Sequence, residues 1–220
     1  MRDISSQEYQ ALIDNSRLIE KDGYGPKVLL TQDQQIVKIF RCKRFLSRTT
    51  IFPAGRRFAN NAVGLKERGI DTITIEDYGR CPDPPRELVW YPYLEGETLR
   101  DICLTVSKPE IASLVRELGT FIAVLHLRGV FFRSLHWNNI LVQPSGRFAL
   151  IDILDMQLQK RSLSILQRRR NFCHLLCRHP QDLQIYQENF EVFWHGYADA
   201  CGLTAKQLLS LKRIQFELRK

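Results

Sequence analysis

Residues 131–156, FFRSLHWNNILVQPSGRFALIDILDM, restrict the fold more than any other stretch of the chain. Ile140-Leu141-Val142-Gln143 is a short apolar run, Pro144-Ser145-Gly146-Arg147 carries turn chemistry, and Phe148-Ala149-Leu150-Ile151 returns. A loop, a β-hairpin and a second loop are therefore expected. Four residues out, a turn and four back set Asn139 and Asp152 side by side at the open end of the hairpin. A carboxamide oxygen and a carboxylate held together make a hard-oxygen pair suited to Mg²⁺, which keeps several waters and shares its remaining positions with substrate phosphates.

At 220 residues, 44% hydrophobic and 25% charged, the chain has the length and composition to bury an ordinary globular core. No apolar run reaches transmembrane length and MRDISSQEYQ has no signal-peptide pattern, so a cytoplasmic location is expected. The six cysteines form no CxxC pair and read as reduced thiols. Cys173 and Cys177 share a helical face, a spacing that without nearby histidines reads as two buried thiols. The net charge of +8 is bunched at Arg41–Arg48, at Arg56-Arg57 and at Lys160–Arg170. Such clusters suit phosphate-rich partners: a nucleotide, a phosphorylated glycolipid or an anionic membrane surface, with solvated faces as the plain alternative. A nucleic-acid partner is not expected, because charge is its only support and no recognition motif accompanies it.

In chain order, Ser5-x-x-Glu8 is a capping box opening a short helix to about Asn15. Leu18-Ile19-Glu20 reads as a strand, followed by a turn holding Gly23 and Gly25. Two glycines there could let backbone amides approach a phosphate, although an ordinary hairpin turn is the stronger local reading. Lys27–Thr31 and Ile36–Phe40 form the next hairpin. In it Lys38 lies between β-formers, where an ammonium either meets an anion or snorkels from an edge strand. Arg56–Arg68 has helical periodicity in Phe58, Ala62 and Leu65, closed by Gly69. Thr72–Tyr78 and Glu87–Tyr91 read as strands. Ser107-x-x-Glu110 caps an apolar helix that ends at Gly129, with His126 near its end expected to cap carbonyls. Beyond Met156, Phe172, Leu175 and Leu176 suggest a helix with an Arg-rich opposite face. Pro180 begins a helix to about Tyr197, and Thr204–Leu218 gives the last one.

These motifs, in this order, resemble the protein-kinase-like fold, and in detail the bacterial lipopolysaccharide-core (heptose/Kdo) kinases and related toluene tolerance proteins. The resemblance covers about residues 15–180 and rests on Val37-Lys38-Ile39, on the His136-x-x-Asn139 form of the catalytic loop and on Leu150-Ile151-Asp152. It implies an α+β, two-lobed fold: a small antiparallel β lobe over residues 1–94 and a mainly helical lobe over 95–220. It further implies an ATP-dependent kinase acting on a hydroxyl of a sugar or related small molecule. Lys38, with Gly23 and Gly25, would contact phosphates, and Glu95 would lie in the Tyr93–Leu99 segment that receives adenine. Asn139 and Asp152 would hold Mg²⁺, and Arg133 would hold neighbouring loop groups. The acceptor could be a glycolipid at the inner-membrane face, with peripheral contact to that anionic surface. Two departures matter. The family's catalytic aspartate is Ser134 here, leaving Ser134, His136 and Asp155 as candidates for acceptor chemistry. The glutamate expected to pair with the strand lysine is Asn61. A scaffold or nucleotide-binding pseudokinase is the alternative these departures raise.

Overall fold

A chain rich in alternating β-formers before residue 93 and in 3.6-period apolar residues after residue 99 separates its strands from most of its helices. The computed structural model, which describes residues 1–42, 53–176 and 179–213, is an α+β protein. It divides into two compact units, Met1–Glu67 with Thr72–Glu95, and Arg68–Asp71 with Gly96–Lys220. The expectations placed on Lys43–Arg48, Cys177 and residues 214–218 lie outside the described residues.

The first unit is built on β4 (Gln35–Arg41). It lies between β3 (Gly25–Leu30) and β7 (Arg86–Pro92). With β1 (Arg2–Asp3), β2 (Arg17–Asp22) and β6 (Asp77–Cys81), these make a sheet of order β1-β6-β7-β4-β3-β2, antiparallel except for the β1–β6 pair. The period of two sends Val37, Ile39, Leu88 and Trp90 to one face, where they bury with Tyr9 of α1 (Ser6–Asp14). Ile36, Lys38, Phe40 and Tyr91 point to the other face, which α2 (Ala54–Lys66) covers through Phe58. Ser5 and Glu8 form the expected capping box of α1.

The strand expected over 72–78 is split. Asp71–Thr72 forms β5 and Asp77 begins β6, because the two ends join different sheets. The irregular link lets the chain change partners.

In the second unit, β8 (Glu97–Thr98) leads into α3 (Leu99–Thr105) and the long α4 (Lys108–Leu127), opened by the Ser107–Glu110 capping box. There follow β9 (Val130–Phe132), β10 (Ile140–Val142), β11 (Phe148–Leu150) and β12 (Met156–Leu158). Helices α5 (Ile165–Leu176), α6 (Pro180–Glu188), α7 (Phe190–Cys201) and α8 (Ala205–Lys212) complete the described chain. The single helix expected from Pro180 to Tyr197 is two helices. Asn189 interrupts it by donating from Nδ2 to the Ile185 carbonyl at 2.9 Å, a local bond that competes with helix continuation. Among the described residues no helix is long and apolar enough to cross a membrane.

Helices α4 and α7 cross at backbone contact. A Cβ on Gly119 would lie 2.2 Å from the Phe193 carbonyl oxygen, and one on Gly196 2.0 Å from that of Arg116. This approach packs Phe172, Phe193, Trp194 and Tyr197 edge to face around His126. His126 therefore corrects an expectation: it does not cap carbonyls with its ring but lies fully buried in this cluster. Arg168, expected on an exposed Arg-rich face, is buried beside it at 2% exposure.

The donors and acceptors there run in one direction. Arg168 donates to the Tyr197 hydroxyl at 3.0 Å, and with His126 neutral and protonated on Nε2, Tyr197 donates to His126 Nδ1 at 2.9 Å. His126 Nε2–H then donates to Asn171 Oδ1 at 3.1 Å, and Asn171 Nδ2 to the Phe132 carbonyl at 2.6 Å. Only neutral imidazole satisfies this chain. Burial, and then the Arg168 charge, push the His126 pKa down to about 3.

Two outcomes are expected. Gly119→Ala forces the α4 and α7 backbones apart and should cost about 2–3 kcal/mol, lowering Tm by about 4–10 °C in a thermal melt. His126 is protonated more readily in the unfolded chain than in the folded one. Its contribution is therefore complete above about pH 6.5 and is lost as pH falls towards about 3. Denaturant titrations should show stability falling by up to about 1.4 kcal/mol per pH unit from this group below pH 6.5, and His126→Gln should lack that part of the slope while being less stable at neutral pH.

Candidate functional site

In the second unit β9 runs into Arg133-Ser134-Leu135-His136 and then into a 3₁₀ turn, Trp137–Asn139, before β10. Leu135 and Trp137 are fully buried and pin the loop from beneath. Above them, Leu135 N donates to Phe132 O at 3.2 Å and Asn139 N to His136 O at 2.8 Å. Asn139 is 6% exposed and gives its Nδ2 to the Ser134 carbonyl at 2.8 Å. The amide's donor end is thus tied to the loop, and its Oδ1 takes no protein hydrogen bond among the described residues.

The hairpin register is one step from that expected. Ile140 faces Leu150 and Val142 faces Phe148, and Gln143 N donates to Arg147 O at 3.0 Å. The loop is therefore three residues, Pro144–Gly146, with Gly146 at φ 79 in the left-handed position that such a loop requires. Asn139 consequently faces Ile151, whose N donates to Asn139 O at 3.0 Å, and Asp152 follows immediately beyond. Asp152 is exposed and adopts φ 49, a left-handed conformation shared by only one other non-glycine residue among those described, Gln34. Such a backbone is uncommon outside glycine and concentrates at ligand-holding positions. Neutral Oδ1 and exposed carboxylate at successive steps of one hairpin end fit Mg²⁺, which needs few protein ligands. Among the described residues no three His, Cys, Asp or Glu side chains gather into a fuller metal cage.

The two loops are also tied to each other. The β9–β12 ladder pairs Phe132 with Met156, so Arg133 and Asp155 stand opposite at its next step. Arg133 N donates to Asp155 O at 3.0 Å, and the guanidinium forms an ion pair with the Asp155 carboxylate. Ser134 is half-buried, and its hydroxyl makes no protein hydrogen bond among the described residues. His136, half-buried, starts the 3₁₀ turn in extended backbone. Trp137 Nε1 and Asn138 Oδ1, a donor and an acceptor on neighbouring residues, are buried without hydrogen-bond partners among the described residues. Nothing in sequence spacing marks that pair.

The first unit holds the other candidates. Lys38 lies mid-sheet, paired to Val28 and Val89, on the face covered by α2, and its ammonium stands 5.1 Å from the centre of the Phe58 ring. It is therefore a central-strand lysine rather than an edge one. Asn61 lies one helical turn beyond Phe58. Gly23 falls in a tight two-residue turn joining β2 and β3, and Gly25 pairs with Asp22 across its base. There Tyr24 N is already bonded to Asp22 Oδ1 at 2.8 Å, which is the ordinary hairpin geometry. Glu95 is exposed and ends this unit; Gly96 begins the next at φ 145, where a Cβ would meet Val142 O at 2.7 Å.

Sequence reading passed over Glu87. It is 3% exposed, accepts from Gly55 N at 2.9 Å, and takes the Tyr78 hydroxyl as a second donor. Helix α2 has no side-chain cap of its own, so this carboxylate supplies the negative end its N-terminus lacks. Burial and then Glu87 push the Tyr78 hydroxyl well above its usual range. A carboxylate at the head of the apolar run Leu88–Tyr91 was the available signal.

Comparison of the sequence with protein-family models and with curated proteins found no match to either.

Proposed function

We propose that the chain is an ATP-dependent phosphotransferase with a two-lobed, protein-kinase-like fold, acting on a hydroxyl of a sugar or related small molecule. The observation that carries this reading is Asp152 in left-handed backbone, one step from an Asn139 whose donor end is tied to Ser134 O. Spending backbone strain on an exposed carboxylate, beside an amide oxygen kept out of protein hydrogen bonds, has no evident packing purpose. It suits a cation shared with phosphates. Asn139 Oδ1 and the Asp152 carboxylate would hold Mg²⁺, which when bound neutralises charge on the transferring phosphates. By the resemblance, Lys38, whose ammonium lies on the Phe58 ring, would be a phosphate contact.

Phosphoryl transfer through a loose transition state depends chiefly on positioning and charge, so replacement of the family aspartate by Ser134 need not end catalysis. Ser134 Oγ can accept or donate one hydrogen bond and so orient the acceptor hydroxyl. Asp155 then takes the hydroxyl proton, with Arg133 fixing the position of the carboxylate. His136 is the other proton acceptor within this loop. A second reading, a nucleotide-binding scaffold, draws on the same ion pair: a carboxylate oxygen occupied by Arg133 is one fewer to receive an acceptor proton. A lipopolysaccharide-core sugar as acceptor rests on the resemblance of the catalytic loop alone.

ATP turnover with a panel of sugar acceptors separates the two readings. The phosphotransferase reading expects Mg²⁺-dependent turnover, reduced about 10²-fold or more in kcat by Asp155→Asn with little change in the KM for ATP. A wild type without turnover that gains activity on Ser134→Asp would establish the scaffold reading instead.

A further inference from the structure

No acidic residue occurs between Asp155 and Asp182, while the same interval holds Lys160, Arg161, Arg168, Arg169, Arg170 and Arg178. Arg168 is internal and serves the His126 network, whereas Lys160, Arg161 and Arg170 are exposed. Residues 159–163 run along the end of α4: Gln159 N donates to Gly129 O at 2.9 Å and Leu163 N to His126 O at 2.8 Å. A Cβ on Gly129 would come within 2.5 Å of the Arg161 carbonyl oxygen, so the α4 end and this segment are in backbone contact. That contact brings Lys160 and Arg161 beside Leu127 and Arg128, all four exposed. Helix α5 then starts, carrying Leu166 at 72% exposure and, one turn on, exposed Arg170.

The Arg128 guanidinium bonds the Gly69 carbonyl at 2.9 Å rather than a carboxylate, so it keeps its full charge. No ion pair involves Lys160, Arg161 or Arg170 among the described residues.

We propose that this surface, at the end of α4 and the start of α5, docks on an anionic phospholipid bilayer. Charge selects a phosphate-rich partner, and the exposed leucines select among such partners. A bilayer accepts leucine side chains below its headgroups while the flanking cations remain at phosphate level. A nucleic-acid strand would favour aromatic platforms for its bases, and this patch has none. The inference does not depend on phosphoryl transfer, since it concerns no residue of the candidate site.

The test is sedimentation of the full chain, without nucleotide, on vesicles of phosphatidylcholine alone or mixed with phosphatidylglycerol. Binding is expected only to the mixed vesicles, falling as salt rises. The pair Lys160→Gln and Arg161→Gln should weaken it about fivefold per charge, so roughly 25-fold together. Leu166→Ser should weaken it roughly tenfold. The pair Arg17→Gln and Lys21→Gln, on the exposed strand β2 of the first unit, should leave it unchanged. All these positions are at the surface, and thermal melts should match the wild type. Absence of binding to mixed vesicles, equal binding to both kinds, or equal loss in the β2 pair would overturn the proposal. So would duplex DNA binding that the Lys160/Arg161 pair abolishes while vesicles are ignored.

Discussion

The neutral, buried imidazole of His126 joins the core of the second unit to the loop that holds Ser134, His136 and Asn139. Backbone contact of α4 and α7 at Gly119 and Gly196 makes the enclosure, and the aromatic cluster fills it. From inside, a run of hydrogen bonds leads from Arg168 through Tyr197, His126 and Asn171 to the Phe132 carbonyl, the last residue of β9 before the candidate catalytic loop. With His126 neutral, each member donates onward, from Arg168, which can only donate, to the Phe132 carbonyl, which can only accept. A charged histidine would reverse one link and leave another unmet. The cost of burying Arg168 without a carboxylate is offset by carbonyl partners, Leu163 O at 3.0 Å among them.

Beyond Phe132 the constraint passes to short-range bonds. Leu135 and Trp137 anchor the loop below, Asn139 closes it on Ser134 O, and the Arg133–Asp155 pair ties it to the segment after β11. In the first unit Glu87 plays a comparable part, fixing the start of α2 and with it the Phe58 ring that lies against Lys38.

What was legible in the sequence was local. The Ser5–Glu8 and Ser107–Glu110 boxes, the long α4, the strand around Lys38 and the Asn139–Asp152 hairpin all follow from patterns a few residues long. What escaped depended on partners far along the chain or on fine turn geometry. One residue of register was lost because Gly146 takes the left-handed position and Arg147 joins the ladder. His126 and Arg168 read as surface groups because their partners, Tyr197 and Asn171, lie on other helices. The split at Asn189 turned on one side-chain bond. Glu87 was read as an ordinary strand residue since nothing nearby shows that a helix N-terminus meets it.

The central claim is that Asn139 and Asp152 form a Mg²⁺-dependent nucleotide site, and calorimetric titration of ATP tests it most directly. The account predicts binding to the wild-type chain in the presence of Mg²⁺, weak or no binding without it, and loss of the Mg²⁺-dependent part in Asp152→Asn. No binding under any condition, or binding to Asp152→Asn indistinguishable from wild type, would contradict it.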